Sequence, residues 1–300
     1  MALSARMAAH RAVGLALEHI YRGSIDGHLP ELAHHFLSAA PRGDLPKAVD
    51  YAERAAHHAL EHLGYEQAAE LFARGLEALG LLEPDPRRRA QFLLGLAGAQ
   101  SRAGRPSARA TYETAVAVAR SIGDDDILAR AALGIAPFAL TPGFVDDEHV
   151  ALLVEALQRI GPSDDPLRVR LLSSLAVALY WSDAAQRRAE LGREALEIAE
   201  RLDDHETLAF ALSSVQLATN GPDSTVQGLE WMRRLFGLTQ RGESTMMLAA
   251  RSRHIDVLLE MDELAGERLG RDLERTVQTG TFCAYRPDRG RAVRWQVDEG

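Results

Sequence analysis

Two residue types are all but missing from this chain. Cys283 is the sole cysteine, which excludes an internal disulfide and any multi-cysteine metal site and agrees with a reducing compartment. Lys47 is the sole lysine, so nearly every positive charge is an arginine. No G-x-x-x-x-G-K-[ST] phosphate loop can be written, and the lysine chemistry of kinases or pyridoxal enzymes would have to rest on Lys47. The arginine bias is read as coding composition rather than function. Also missing is any apolar run of the roughly 20 residues that a bilayer crossing requires. Arg6, His10, Arg11 and Glu18 interrupt the apolar positions of the N-terminal stretch, where a signal peptide needs an unbroken core. A cytoplasmic address with no membrane role is expected. The net charge of −9 disfavours blanket attraction to polyanions, so direct nucleic-acid binding is not expected either.

What is present is a repeat. The chain has 300 residues, 46% hydrophobic and 26% charged, too many for one compact core and ordinary for a water-soluble protein. Leu94-Gly95, Leu133-Gly134, Leu172-Ser173, Leu212-Ser213 and Arg251-Ser252 each place a small residue mid-helix at successive intervals of 39, 39, 40 and 39 residues. Acidic turns keep the same beat at Gly123-Asp124-Asp125, Asp164-Asp165, Asp203-Asp204 and Gly242-Glu243. Two helices per unit follow, because one pair cannot bury its apolar face alone and must stack on neighbours. The expected fold is all-α, a tetratricopeptide-like right-handed superhelix of antiparallel helix pairs, an α-solenoid. Leading helices occupy 1–46, repeats of about 39–40 residues occupy 47–280, and an irregular, disordered tail occupies 281–300.

Helices are expected at 4–22, 31–40, 46–63 (closed by Gly64) and 65–79. In the unit at 166–203, Leu171, Leu172, Leu175, Ala178 and Leu179 form one apolar stripe, and Leu191, Ala195, Ile198, Ala199 and Leu202 another. Arg188, Glu190, Arg193, Glu194, Glu197 and Arg201 lie off the second stripe and are expected to partner one another at i,i+4. Pro137 should kink or stop the helix from Ile127 near Ala136, leaving Pro137 to Val145 as a loop that carries Phe138 and Phe144. That loop is either a ligand lip or, more plainly, two rings packed into the adjacent groove. Helices at 205–219, 223–239, 244–262 and 264–279 complete the array. The tail carries Arg286, Arg289, Arg291 and Arg294 and offers no capping helix, which leaves a C-terminal face open to self-association.

Chemistry is sparse. His58-Ala59-Leu60-Glu61-His62 fits H-x-x-E-H, in which two histidines one turn apart bind zinc and the glutamate activates water. The pattern is short and lacks a third ligand, so the histidines are read as surface or groove residues. His34, His35, His57, His58 and His62 are weighed as a pH-sensitive patch. Acidic pairs such as Asp124-Asp125, Asp146-Asp147 and Asp164-Asp165 sit where helices begin, and capping explains them. No catalytic residue, metal site or cofactor is expected.

Ala68, Phe72 and Gly75, then Ala108, Tyr112 and Ala115, match the small-x-x-x-aromatic-x-x-small signature of a second tetratricopeptide helix. Glu31-Leu32-Ala33-His34-His35-Phe36, Lys47-Ala48-Val49-Asp50-Tyr51 and Tyr65-Glu66-Gln67-Ala68-Ala69-Glu70-Leu71-Phe72 resemble the helical-repeat segment of bacterial LuxR-type and AfsR-type regulators. These are signal-transduction ATPases related to the maltose-regulon activator. The blocks cover about 31–79, and the weaker repeats run to 280. The family's nucleotide-binding motif and DNA-reading helices have no counterpart here, so neither activity transfers, and the chain is expected to be a fragment or the product of a truncated gene. The resemblance implies an inducer- or partner-binding arm; regulatory repeats of bacterial cyclases or kinases are the alternative, with a zinc hydrolase on His58 and His62 behind them. In such arrays the groove positions lie three before and one after the small residue. They are Arg170 and Ser174, then Phe210 and Ser214, with Phe138 and Arg253 extending the strip, and Phe210 is weighed toward the core. A protein or small-molecule inducer is the expected occupant.

Overall fold

The computed structural model describes residues 3–40, 43–135, 143–219, 230–231, 233–235, 237, 277–278 and 284–285. Among them the chain is built of helices, with one two-residue β pair. Helices α1 Leu3–Ile20, α2 Leu29–Ala39, α3 Leu45–Glu61, α4 Tyr65–Leu79, α5 Pro86–Arg102, α6 Ala108–Ile122, α7 Asp125–Gly134 and α8 Asp147–Ile160 belong to a first unit. Helices α9 Pro166–Ala178, α10 Ala185–Leu202 and α11 His205–Thr219 belong to a second, whose boundary falls between Ser163 and Asp164.

The helices start where acidic side chains meet free backbone N–H groups. Asp44, Asp85, Asp124, Asp146 and Asp165 accept from the backbone N–H of Lys47, Arg88, Ile127, His149 and Leu167. Each satisfies a donor that the helix itself leaves unpaired. Pro46, Pro86 and Pro166 occupy the first helical turns, where a missing N–H costs nothing. Helix α7 ends at Gly134, close to the expected end near Ala136; Pro137 itself lies outside the described residues. One terminus differs from expectation. The turn after α3 is made by Leu63, whose φ of 60° is left-handed, while Gly64 has φ −81°.

Within the first unit each helix packs on the next in order from α1 to α8, and α5 also packs on α7. In the second, α9, α10 and α11 all pack on one another. That contact of first helix with first helix is what stacking of pairs requires.

The aromatic–glycine contacts explain the period. Phe72 of α4 lies against Gly95 of α5, where an added Cβ would stand 2.6 Å from the ring; Phe92 of α5 fits over Gly75 of α4 in return, and Tyr112 of α6 fits over Gly134 of α7. The second unit repeats the sense of the Gly75–Phe92 contact. Gly192 stands 80 residues after Tyr112, on the second helix, and takes the side chain of Val215 from α11. As at Gly75, the small residue sits on the second helix and the bulky one on the first helix that follows, and the close approach is kept.

The helix expected over 264–279 lies mostly outside the described residues. Val277 and Gln278 within it are a strand, paired antiparallel with Tyr285 and Ala284 of the expected irregular tail. The β-branched run Thr276-Val277 with Thr279 suits extended backbone better than helix.

Candidate functional site

Arg170 and Ser174 lie on α9, and Phe210 and Ser214 on α11; all four side chains are half-buried. The structure brings two of them together. The Arg170 guanidinium lies 5.5 Å from the centre of the Phe210 ring, and its Nη2 donates to Glu206 Oε1 at 2.9 Å. Glu206 and Phe210 are one helical turn apart, so α11 holds the cation by charge at one end and by π-face at the other. Phe210 is therefore an accessible ring under a cation rather than a sealed core side chain. Arg168, two residues earlier, turns to α10 and meets Glu194 at 2.6 Å. Phe138 and Arg253 lie outside the described residues. Phe144, for which packing into a groove was the plainer expectation, is 60% exposed.

Sequence reasoning missed an aromatic corner just after α9. Tyr180 and Trp181 meet edge to face with centroids 5.0 Å apart, Arg188 covers Tyr180 at 5.4 Å and donates to its carbonyl, and Trp181 is exposed. The signal was the dipeptide itself, set in a turn.

Arg188 and Arg201, expected to pair along α10, reach outside it instead, while Glu190 pairs within the helix, with Arg187 at 3.6 Å. Arg201 makes two hydrogen bonds to Asp164, 2.6 and 2.7 Å, and Glu194 takes Arg168. The same lateral pairing joins Arg87 to Asp124, Arg109 to Asp146 and Arg120 to Glu155 at 3.1, 2.6 and 2.6 Å. Asp146 thus serves twice, its Oδ1 capping α8 and its Oδ2 binding Arg109. The Arg109 hydrogen bond holds its carboxyl below the usual aspartate value, against burial, with help from the His149 N–H.

Lys47 is engaged structurally. Its Nζ donates to Glu18 Oε2 at 2.6 Å, Tyr51 Oη donates to Glu18 Oε1 at 2.8 Å, and the ammonium sits 5.6 Å from the Phe36 ring centre. Burial raises Glu18, but hydrogen bonds from Lys47 and Tyr51 and the charges of Lys47 and Arg22 outweigh it and leave the carboxyl below its ordinary value. Burial and the bond to Glu18 push Tyr51 up to about 12.

The histidines sort differently from the expected patch. His58 and His62 stack at 4.3 Å, with the His62 Nδ1–H donating to the His58 carbonyl at 2.8 Å. His57 meets Phe72 edge-on at 5.4 Å. His34 and His35 join His10 of α1, which the sequence reading had left out. Among the described residues no three His, Cys, Asp or Glu side chains are arranged to hold a metal ion, so H-x-x-E-H gains no third ligand there. No helix among the described residues is long and apolar enough to cross a membrane.

No protein-family model matches the chain, and no curated protein sequence matches it. Solved structures do. A Signal Transduction ATPase with Numerous Domains (STAND) protein with a tetratricopeptide repeat sensor, from Pyrococcus horikoshii, matches with a TM-score of 0.56 and 14% identity over 89% of this chain. The likeness is one of fold. The matched part is 40% of that protein's length, so this chain spans well under half of it. BtubC (BKLC) from P. vanneervenii matches over the whole of both chains at 15% identity with a TM-score of 0.48.

Proposed function

We propose that this chain is a non-catalytic binding arm, the sensor segment of a bacterial signal-transduction ATPase regulator of the LuxR/AfsR type. It takes a protein or small-molecule inducer along the faces of its first helices. The observation that carries this reading is the Arg170–Phe210–Glu206 arrangement, a π-face, a cation and a carboxylate held half-open on neighbouring first helices. The tetratricopeptide-sensor fold and the sequence blocks between Glu31 and Phe72 support it. Self-association through the C-terminal face belongs to the same reading, and light scattering on the full chain over a concentration series measures it.

The test is a photo-crosslinking amino acid at position 210, with position 193 on the exposed side of α10 as control. The expected result is one discrete adduct from 210, lost in an Arg170→Glu background and not formed from 193. Equal labelling from both positions, or none from 210, overturns the reading.

A further inference from the structure

His10 on α1 and His34 and His35 on α2 form a closed cluster across the first helix–helix contact. Ring centroids are 5.5 Å apart for His10–His34, 5.1 Å for His10–His35 and 5.2 Å for His34–His35. His10 Nδ1 and His35 Nδ1 are 3.0 Å apart. Such a bond needs one nitrogen to donate and the other to accept, so at least one of the two rings must be neutral. When both rings are protonated the two Nδ1–H groups point at each other, and the bond becomes a repulsion between cations.

The other end of α1 is held by chemistry of a different kind. Glu18 is bound by Lys47 and Tyr51 of α3, and its carboxyl stays ionised well below the range in which imidazole takes up a proton. Between His10 and Glu18, Gly14 lies against the Phe36 ring, and on the N-terminal side of His10 Met7 is buried.

We propose that His10, His34 and His35 are a proton-operated latch: acidification through the imidazole range releases the N-terminal half of α1 from α2, while Glu18 keeps the C-terminal half docked on α3. On α1 itself Arg6 and Arg11 flank His10 in sequence. His34 on α2 and His10 on α1 act against a charge on His35, and Glu31, one turn earlier on α2, favours it. Glu31 is itself bound by His28, in the 3-10 turn Ile25–His28, at 2.8 Å. On α3, Lys47 is held by Glu18 toward the other end of α1.

Burial, then His34 and His10, pull His35 below the ordinary imidazole value. The docked state therefore binds fewer protons than the released state. Docking is fully favoured above about pH 6.5 and weakens as pH falls below it. Release uncovers Met7 and opens the hollow it lines with Ala8, Arg11, Asp44, Leu45 and Leu82, which makes the first helix the moving part of a pH-gated surface. The latch stands apart from the groove reading and is tested apart from it.

The test is hydrogen exchange by mass spectrometry on the full chain at pH 7.5 and 5.5, in the presence of a chelator and corrected for intrinsic rates. Residues 3–14 should exchange severalfold faster at the lower pH, because the docked state binds fewer protons, while residues 48–60 keep their protection. In a His10→Asn, His35→Asn double variant the acid-dependent loss should vanish. His10→Gln, a change at the outermost helix, serves the same purpose if circular dichroism shows that the double variant has lost helix. Unchanged exchange of 3–14 in the parent chain overturns the latch, and so does a full acid response in either variant.

Discussion

The ring of Phe72 fills the space that any side chain at position 95 would need, since a Cβ on Gly95 would lie 2.6 Å from Phe72 Cζ. Phe72 cannot yield easily. It is nearly fully buried, with Phe92 edge-on at 5.9 Å and His57 at 5.4 Å.

Gly95→Ala should therefore destabilise the first unit by about 1–3 kcal/mol, the usual cost of overpacking. It should do so although alanine is the better helix former by about 1 kcal/mol. Urea titration followed by circular dichroism checks the sign. Adding Phe72→Leu to Gly95→Ala should recover part of the loss. A stabilised Gly95→Ala would show that helix propensity, not the close approach, governs this position.

Leu63→Gly should stabilise. The backbone there is left-handed with φ 60°, a conformation that costs a side-chain-bearing residue about 1 kcal/mol or more, and the leucine side chain is 70% exposed, so little packing is lost. The expected gain is about 1 kcal/mol in the same titration, and a loss would mean that the leucine packs in solution.

Asp146 allows its two duties to be separated. Asp146→Asn keeps an N-cap acceptor and loses the charge toward Arg109; Asp146→Ala loses both. The alanine variant should lose about 1 kcal/mol for the cap, and the asparagine variant only a fraction of that, because solvent screens the half-exposed Arg109. A carboxyl held below its ordinary value contributes stability above the unfolded-state value near 3.9 and loses it as pH falls through the folded-state value. Parent and Asp146→Asn should differ at pH 7 and converge below about pH 4. Parallel curves down to acid pH would remove the Arg109 pairing from the account.

Tyr51 should be visible in an alkaline titration. A phenol raised from 10 to about 12 retains its proton in the folded chain, so its contribution is complete below pH 10 and is lost between 10 and 12. Absorbance at tyrosinate wavelengths should show a late-ionising component that Tyr51→Phe removes. The same variant should cost about 1–2 kcal/mol at pH 7, as loss of a hydrogen bond to a carboxylate does.

Two misreadings share one origin. Arg188, Glu194 and Arg201 were expected to satisfy one another along α10, because i,i+4 neighbours are the pairs that a linear pattern displays. In the folded chain they reach Tyr180, Arg168 and Asp164. Several ion pairs between elements span 34 to 37 residues, a little less than the repeat length, so the spacing was present in the sequence but concealed among many equivalent charges. His10 illustrates the stronger case. It stands 25 residues from His35, inside no repeat, and only the docking of α1 on α2 gives it a partner.

The sequence by itself determined what local forces decide. Asp44, Asp85, Asp124, Asp146 and Asp165 set where helices begin, because a capping carboxylate acts on an N–H two or three residues away. The spacing of Gly95 and Gly134 set the repeat, because a close helix crossing tolerates nothing larger. The tertiary structure alone decided which groups outside the repeat register share a site: Glu18 between Lys47 and Tyr51, and His10 against His34 and His35. Those juxtapositions depend on the angle and offset at which whole helices stack, and that is settled by the summed packing of many side chains, which no short stretch of sequence encodes.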